Sequence, residues 1–159
     1  MKKYLLFLLT ILFLAGCTQQ PAQPASGADE ARTALVDFLT LLNTEKYEEA
    51  LPLYGGEYEA LPVFNPEIEP DDHLALWTWV CQNQLLRCLE LRSATLLHQE
   101  GDTYVFQVEF NNPDGSLFVL GPCCGANETE MPPVSEFEFT VTKNAEGKFV
   151  VMNTPPYVP

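Results

Sequence analysis

Residues 93–110 read SATLLHQEGDTYVFQVEF, and their side chains alternate with a period of two. Tyr104, Phe106, Val108 and Phe110 fall on one face of an extended chain, with Gln107 and Glu109 opposite. That is the pattern of a strand with one buried face. Gly101-Asp102 favours a tight turn, so the stretch predicts an antiparallel hairpin of 93–100 with 103–110. The alternation returns over 134–142, where Phe137, Phe139 and Val141 oppose Glu136, Glu138, Thr140 and Thr142. Residues 116–120 and 148–152 supply two further short strands, set off by the turn-rich NNPDG at 111–115 and by 144–147.

Upstream the period is helical. Ala31, Leu35, Phe38, Leu39 and Leu42 predict an amphipathic helix over 28–42, capped by Ser26 with Asp29 three residues on. Thr44 is expected to cap a shorter helix bearing Tyr47, Ala50, Leu51 and Tyr54, which Gly55-Gly56 ends. Residues 57–70 hold three prolines and leave room only for a short edge strand. Asp71 or Asp72 starts a third, long helix that carries Leu74, Trp77, Cys81, Leu85 and Cys88 along one stripe. The expected fold is α+β, with N-terminal helices packed in a curved antiparallel sheet of four to five strands, a cone-like roll.

The chain begins with Lys2-Lys3 and an apolar run from Tyr4 to Leu14, broken only by Thr10. That run is well short of the ~20 residues that span a bilayer as a helix. It closes on Leu14-Ala15-Gly16-Cys17, which resembles the lipobox of bacterial lipoprotein signal peptides. The resemblance implies that 1–16 are removed and that Cys17 is lipidated and becomes the N-terminus. Two or more acyl chains then anchor the protein to the outer face of the cytoplasmic membrane or to the outer membrane. Residues 18–27, TQQPAQPASG, are uncharged and rich in proline and glutamine, as expected of a disordered tether. A single domain over 28–159 follows.

The chain has 8 basic and 22 acidic residues and a net charge of −14. Loss of Lys2 and Lys3 leaves six basic against 22 acidic residues, a balance of −16. Such a surface disfavours nucleic acid and anionic headgroups as partners.

With Cys17 assigned, Cys81, Cys88, Cys123 and Cys124 form an even set that suggests disulfides in an exported protein. Neither Cys-x6-Cys nor an adjacent pair has common zinc-ligand spacing. If Cys81 and Cys88 share a helix, about 10.5 Å separates them, beyond the ~7 Å a bridge allows. On that premise both helix cysteines pair with the Cys123-Cys124 loop, in an order the sequence leaves open.

The element order, with Ala31…Leu35…Phe38-Leu39…Leu42 followed by Lys46-Tyr47-Glu48-Glu49-Ala50, resembles the nuclear-transport-factor-2-like superfamily over about residues 28–153. The resemblance implies a sheet wrapped as a cone, with a pocket at one end, in a superfamily that contains ketosteroid-isomerase-like and cyclase-like enzymes as well as binding domains. Fold does not fix function there. Enzymes of this type use an inward Asp, His or Tyr, and the expected inward face carries no carboxylate. His98, sharing a face with Leu96, would form the only inward polar cluster with Tyr104 and Trp77, and these would line a pocket with Phe106, Phe137 and Phe139. His73 is expected at the surface. Glu67, Glu69, Asp71 and Asp72 lack the glycine and spacing of a calcium loop, so no metal or cofactor is expected. The leading expectation is a non-catalytic binding domain for a small apolar ligand or another envelope protein. An isomerase, dehydratase or cyclase using His98 and Tyr104, and a structural module of an envelope complex, are the alternatives.

Overall fold

A computed structural model describes residues 27–158. The lipobox, Cys17, the tether through Ser26 and the proposed Ser26 cap lie outside the described residues. Within them, helices α1 (Gly27–Asn43), α2 (Tyr47–Ala50) and α3 (His73–Gln82) precede strands β1 (Glu90–Glu100), β2 (Thr103–Asn111), β3 (Phe137–Lys143) and β4 (Phe149–Val151). The strands form an open antiparallel sheet in the order β1-β2-β3-β4. The α+β class is as the sequence predicts, with helices against one sheet face.

The apolar stripe of α1 drives that packing. Ala31, Leu35, Phe38, Leu39 and Leu42 are all buried, and α1 lies across β1, β3 and β4. They meet Tyr104, Phe106, Val108 and Phe110 of β2 with Phe139 and Val141 of β3, all buried in the same core. Trp77 of α3 is 0% exposed and packs edge-on to Phe38 and Tyr54, with ring centroids 5.7 and 5.1 Å away. Each large ring buried this way contributes a few kcal/mol. No polar or charged residue is buried among the described residues. The expected cone interior is therefore filled, and Trp77, Tyr104, Phe106 and Phe139 are core residues, not the wall of a ligand pocket.

Departures from the sequence expectation have local causes. Residues 57–70 form a 3₁₀ turn, Leu61–Val63, and further turns, with no strand. Thr44 does not cap α2; its hydroxyl donates back to Thr40 O of α1 at 2.7 Å, and Lys46 takes the cap position. Residues 116–120 reduce to isolated bridges, Asn111 with Leu117 and Leu120 with Val134. Asp114 accepts from the Ser116 amide and hydroxyl, at 2.9 and 2.6 Å, which holds Ser116 in the preceding turn.

The largest correction concerns α3, which stops at Gln82, so Cys88 is not on the helix. Gln84 adopts φ +58. Its N–H donates to Cys81 O at 3.0 Å and the Leu85 N–H donates to Val80 O at 3.0 Å. These two bonds make a Schellman cap with glutamine where glycine is usual. The reversal brings Cys88 back over Cys81, with 5.5 Å between their Cα atoms, and the two form a disulfide. Cys123 and Cys124 are free. The expected helix-to-loop staples do not form, because their premise, an unbroken helix from 81 to 88, fails.

His98 is the second correction. β1 pairs Leu96 with Phe106 but His98 with Val105, so Leu97 is an extra residue. That bulge inverts the alternation, and His98 lies exposed on the outer face, while Tyr104 is buried on the inner one.

Two stability outcomes follow. Phe106→Ala should cost about 3–5 kcal/mol in urea unfolding, whereas His98→Ala should stay within about 0.5 kcal/mol; a large loss at His98 would contradict its outward placement. The short Cys81–Cys88 loop implies about 2.5 kcal/mol in the chain-entropy account, so a Cys81→Ser/Cys88→Ser double variant should lose about that much, and no measurable loss would count against the bridge.

Candidate functional site

Three non-glycine residues among those described have positive φ: Glu45 (60), Gln84 (58) and Cys124 (61). Left-handed backbone at such residues costs about 1–3 kcal/mol each and gathers where function requires a particular shape. All three line two adjoining surface hollows that share Arg87 and Phe118. The first, about 510 Å³, includes Glu45, Gln84, Cys81 and Cys88. The second, about 420 Å³, is walled by Leu120, Cys123, Cys124, Met131, Tyr157 and Val158 with others. Both volumes fall in the range of small-ligand sites.

The chain builds the first hollow from two helix ends. α1 closes as α3 does: the Lys46 N–H donates to Leu41 O at 2.8 Å and the Glu45 N–H to Leu42 O at 3.2 Å, with Glu45 in the left-handed position. Asn43 Nδ2 donates to Cys88 O at 3.1 Å and ties the end of α1 to the disulfide segment. Both C-terminal ends carry partial negative charge, and α1 and α3 have no basic residue in their last turns. Arg87 is the one cation in the wall.

Arg87 is held from both sides. Its backbone N–H donates to Pro156 O at 2.8 Å, and Val158 N–H donates to Leu85 O at 2.9 Å, so the C-terminal segment runs beside 85–87. Its Nη1 donates to Gln84 Oε1 at 2.8 Å, while Nε is buried without a partner. The described ion pairs, Lys143–Asp102 and Lys148–Glu146, do not involve it. A half-buried guanidinium with spare donors between a polar lobe and an apolar, sulfur-lined lobe can orient an acceptor group while an apolar body fills the second lobe.

Of the sequence-predicted site residues, Trp77, Tyr104, Phe106 and Phe139 come together in one filled core with Phe137 packed against it, and His98 lies outside it. His98 lines none of these hollows and Trp77 lies in the core. The Tyr104 hydroxyl accepts from Gln99 Nε2 at 3.1 Å and sits against Gly27, where a side chain would collide with it. Phe137, half-buried, lines a separate groove with Glu136 and Asn153. The pairing of His98 with Tyr104 as an acid–base couple has no geometric basis. His73, expected at the surface, is half-buried and stacks on Tyr58 at 3.5 Å. Among the described residues, no group of three or more His, Cys, Asp or Glu is placed to hold a metal ion. Arg87, Gln84 and Glu45 were missed because neither left-handed cap carries the usual glycine. The one sequence signal was a rare cation between two cysteines.

A third hollow of about 680 Å³ opens over Tyr54, Glu57 and Met152. Tyr54 stacks on Phe38 at 5.8 Å, and its hydroxyl donates to Glu57 O at 3.1 Å. Burial, helped by Tyr58 and Glu57 beside it, pushes this hydroxyl up to about 12. Burial also raises Tyr47 and Tyr58.

No protein-family model matches the chain, and no curated protein matches it. No helix among the described residues is long and apolar enough to cross a membrane.

A raised tyrosine favours the fold below its unfolded value of about 10 and loses that contribution as pH climbs towards the folded value. Stability should therefore fall between about pH 10 and 12, and Tyr54→Phe should flatten part of the fall. Ultraviolet titration of tyrosinate alongside urea unfolding checks this; an unchanged profile in the variant would place the effect elsewhere.

Proposed function

We propose that the chain is a lipid-anchored, exported bacterial envelope protein of the nuclear-transport-factor-2-like type. It acts by binding, not by catalysis. The anchor rests on Leu14-Ala15-Gly16-Cys17. The Cys81–Cys88 disulfide supports an oxidising compartment. The ligand is a small apolar molecule, or an apolar segment of another envelope protein, that enters the paired hollows and presents an acceptor to Arg87. The observation that carries this reading is the convergence of Glu45, Gln84 and Cys124, all left-handed, on one site. A filled sheet interior removes the motive for a ligand inside the cone.

The structural-module reading draws on a different place. Val63 is 75% exposed, and Leu74, 39% exposed, lines a shallow hollow with Ile68 and Trp79. Nothing on the sheet face favours an isomerase or cyclase.

Metabolic labelling with palmitate tests the anchor: wild type should take up label and Cys17→Ser should not, with release from the membrane fraction. Photocrosslinkers placed at Val119, beside the hollow, and at Thr95, on the outer sheet face, test the site in cells. Adducts at 119 that Arg87→Glu reduces at least tenfold are expected; adducts at 95 alone would overturn the assignment.

A further inference from the structure

Four cysteines allow three pairings, and the Cys81–Cys88 bridge leaves Cys123 and Cys124 to each other. Their sulfurs lie 2.6 Å apart, Cys124 is exposed, and Cys123 is half-buried in the wall of the second hollow. Cys17, the remaining cysteine, belongs to the N-terminal segment outside the described residues. From this geometry we infer that Cys123-Cys124 is a reactive dithiol site that a disulfide co-substrate oxidises to a vicinal disulfide, and that two thiols restore the dithiol by the reverse exchange.

The step balances as thiol–disulfide exchange. The Cys124 thiolate attacks one sulfur of the incoming disulfide and expels the other as a thiolate, giving a mixed disulfide. The Cys123 thiolate then attacks Cys124 Sγ and expels the second thiolate. The pair has lost two protons and two electrons, and the co-substrate leaves as two thiols. Exposure makes Cys124 the entry sulfur, and its hydrogen bond to the neighbour pushes the Cys123 thiol up, consistent with that order. A bridge between adjacent residues closes a small ring on an exposed loop. Exposed or strained disulfides are the labile ones, reduced more readily than packed structural bridges. The Cys81–Cys88 bridge, with Cys81 buried, is of the second kind. Arg87 lies between the two pairs, lining the hollow of each. Oxidation therefore removes two thiol donors from the wall of the second lobe while the first stays unchanged.

The test uses the full chain purified in detergent, so it does not depend on the proposed location. Protein is equilibrated across glutathione buffers of defined ratio, free thiols are trapped with N-ethylmaleimide, and tryptic peptides are weighed. Both cysteines fall in peptide 93–143, apart from Cys81 in 47–87 and Cys88 in 88–92. Peptide 93–143 should pass in one step from two maleimides to none, with loss of two hydrogens, at a more oxidising ratio than opens Cys81–Cys88. In Cys123→Ser, a glutathione should persist on Cys124. Three results would overturn the inference: independent stepwise modification, two maleimides retained in fully oxidised glutathione, or no glutathione adduct in the variant.

Discussion

The reversal at Gln84 is the constraint on which the rest depends. Two hydrogen bonds end α3 there, Gln84 N–H to Cys81 O and Leu85 N–H to Val80 O, and they close over a left-handed residue. Without that turn, Cys88 would continue along the helix about 10.5 Å from Cys81. With it, the two sulfurs bond, β1 can begin at Glu90, and Arg87 faces the surface between two hollows. The cost of a left-handed glutamine is offset by the disulfide that joins Cys81 and Cys88 across the turn and by the C-terminal segment paired to 85–87.

The sheet faces a different problem and solves it with aromatic bulk. α1 and Trp77 fill the inner face of β2 and β3, so the core tolerates neither ligand nor buried charge. Binding capacity is displaced to the rim, where helix ends, the Phe118 loop and the C-terminal segment meet without packing tightly. Rims of this kind can vary in sequence without loss of the core, which is why site and fold separate here.

The period-two runs and the α1 stripe were legible in the sequence because burial of one face imposes them. β2 and α1 lie within a residue or two of where the pattern puts them. Two features were not legible, for a common reason. The bulge at Leu97 and the cap at Gln84 are single-residue irregularities stabilised by tertiary contacts, and neither carries glycine or proline to announce it. Each inverted a conclusion: the bulge turned His98 outward, and the cap joined the two cysteines that helical spacing had separated. The Asp114–Ser116 turn likewise took Ser116, the first residue of the segment that read as a third strand. Of the candidate site only the cysteines stood out in the sequence, because its residues come from helix ends and loops distant in sequence.

A non-reducing tryptic map tests the Gln84 reversal most directly. Trypsin cuts after Lys46, Arg87, Arg92 and Lys143, which separates Cys81, Cys88 and the Cys123-Cys124 pair into three peptides. The account predicts 47–87 covalently joined to 88–92, with 93–143 joined to neither. A link from 93–143 to either partner would contradict it, because α3 would then run on through Cys88 and the hollows around Arg87 would not exist in the form described.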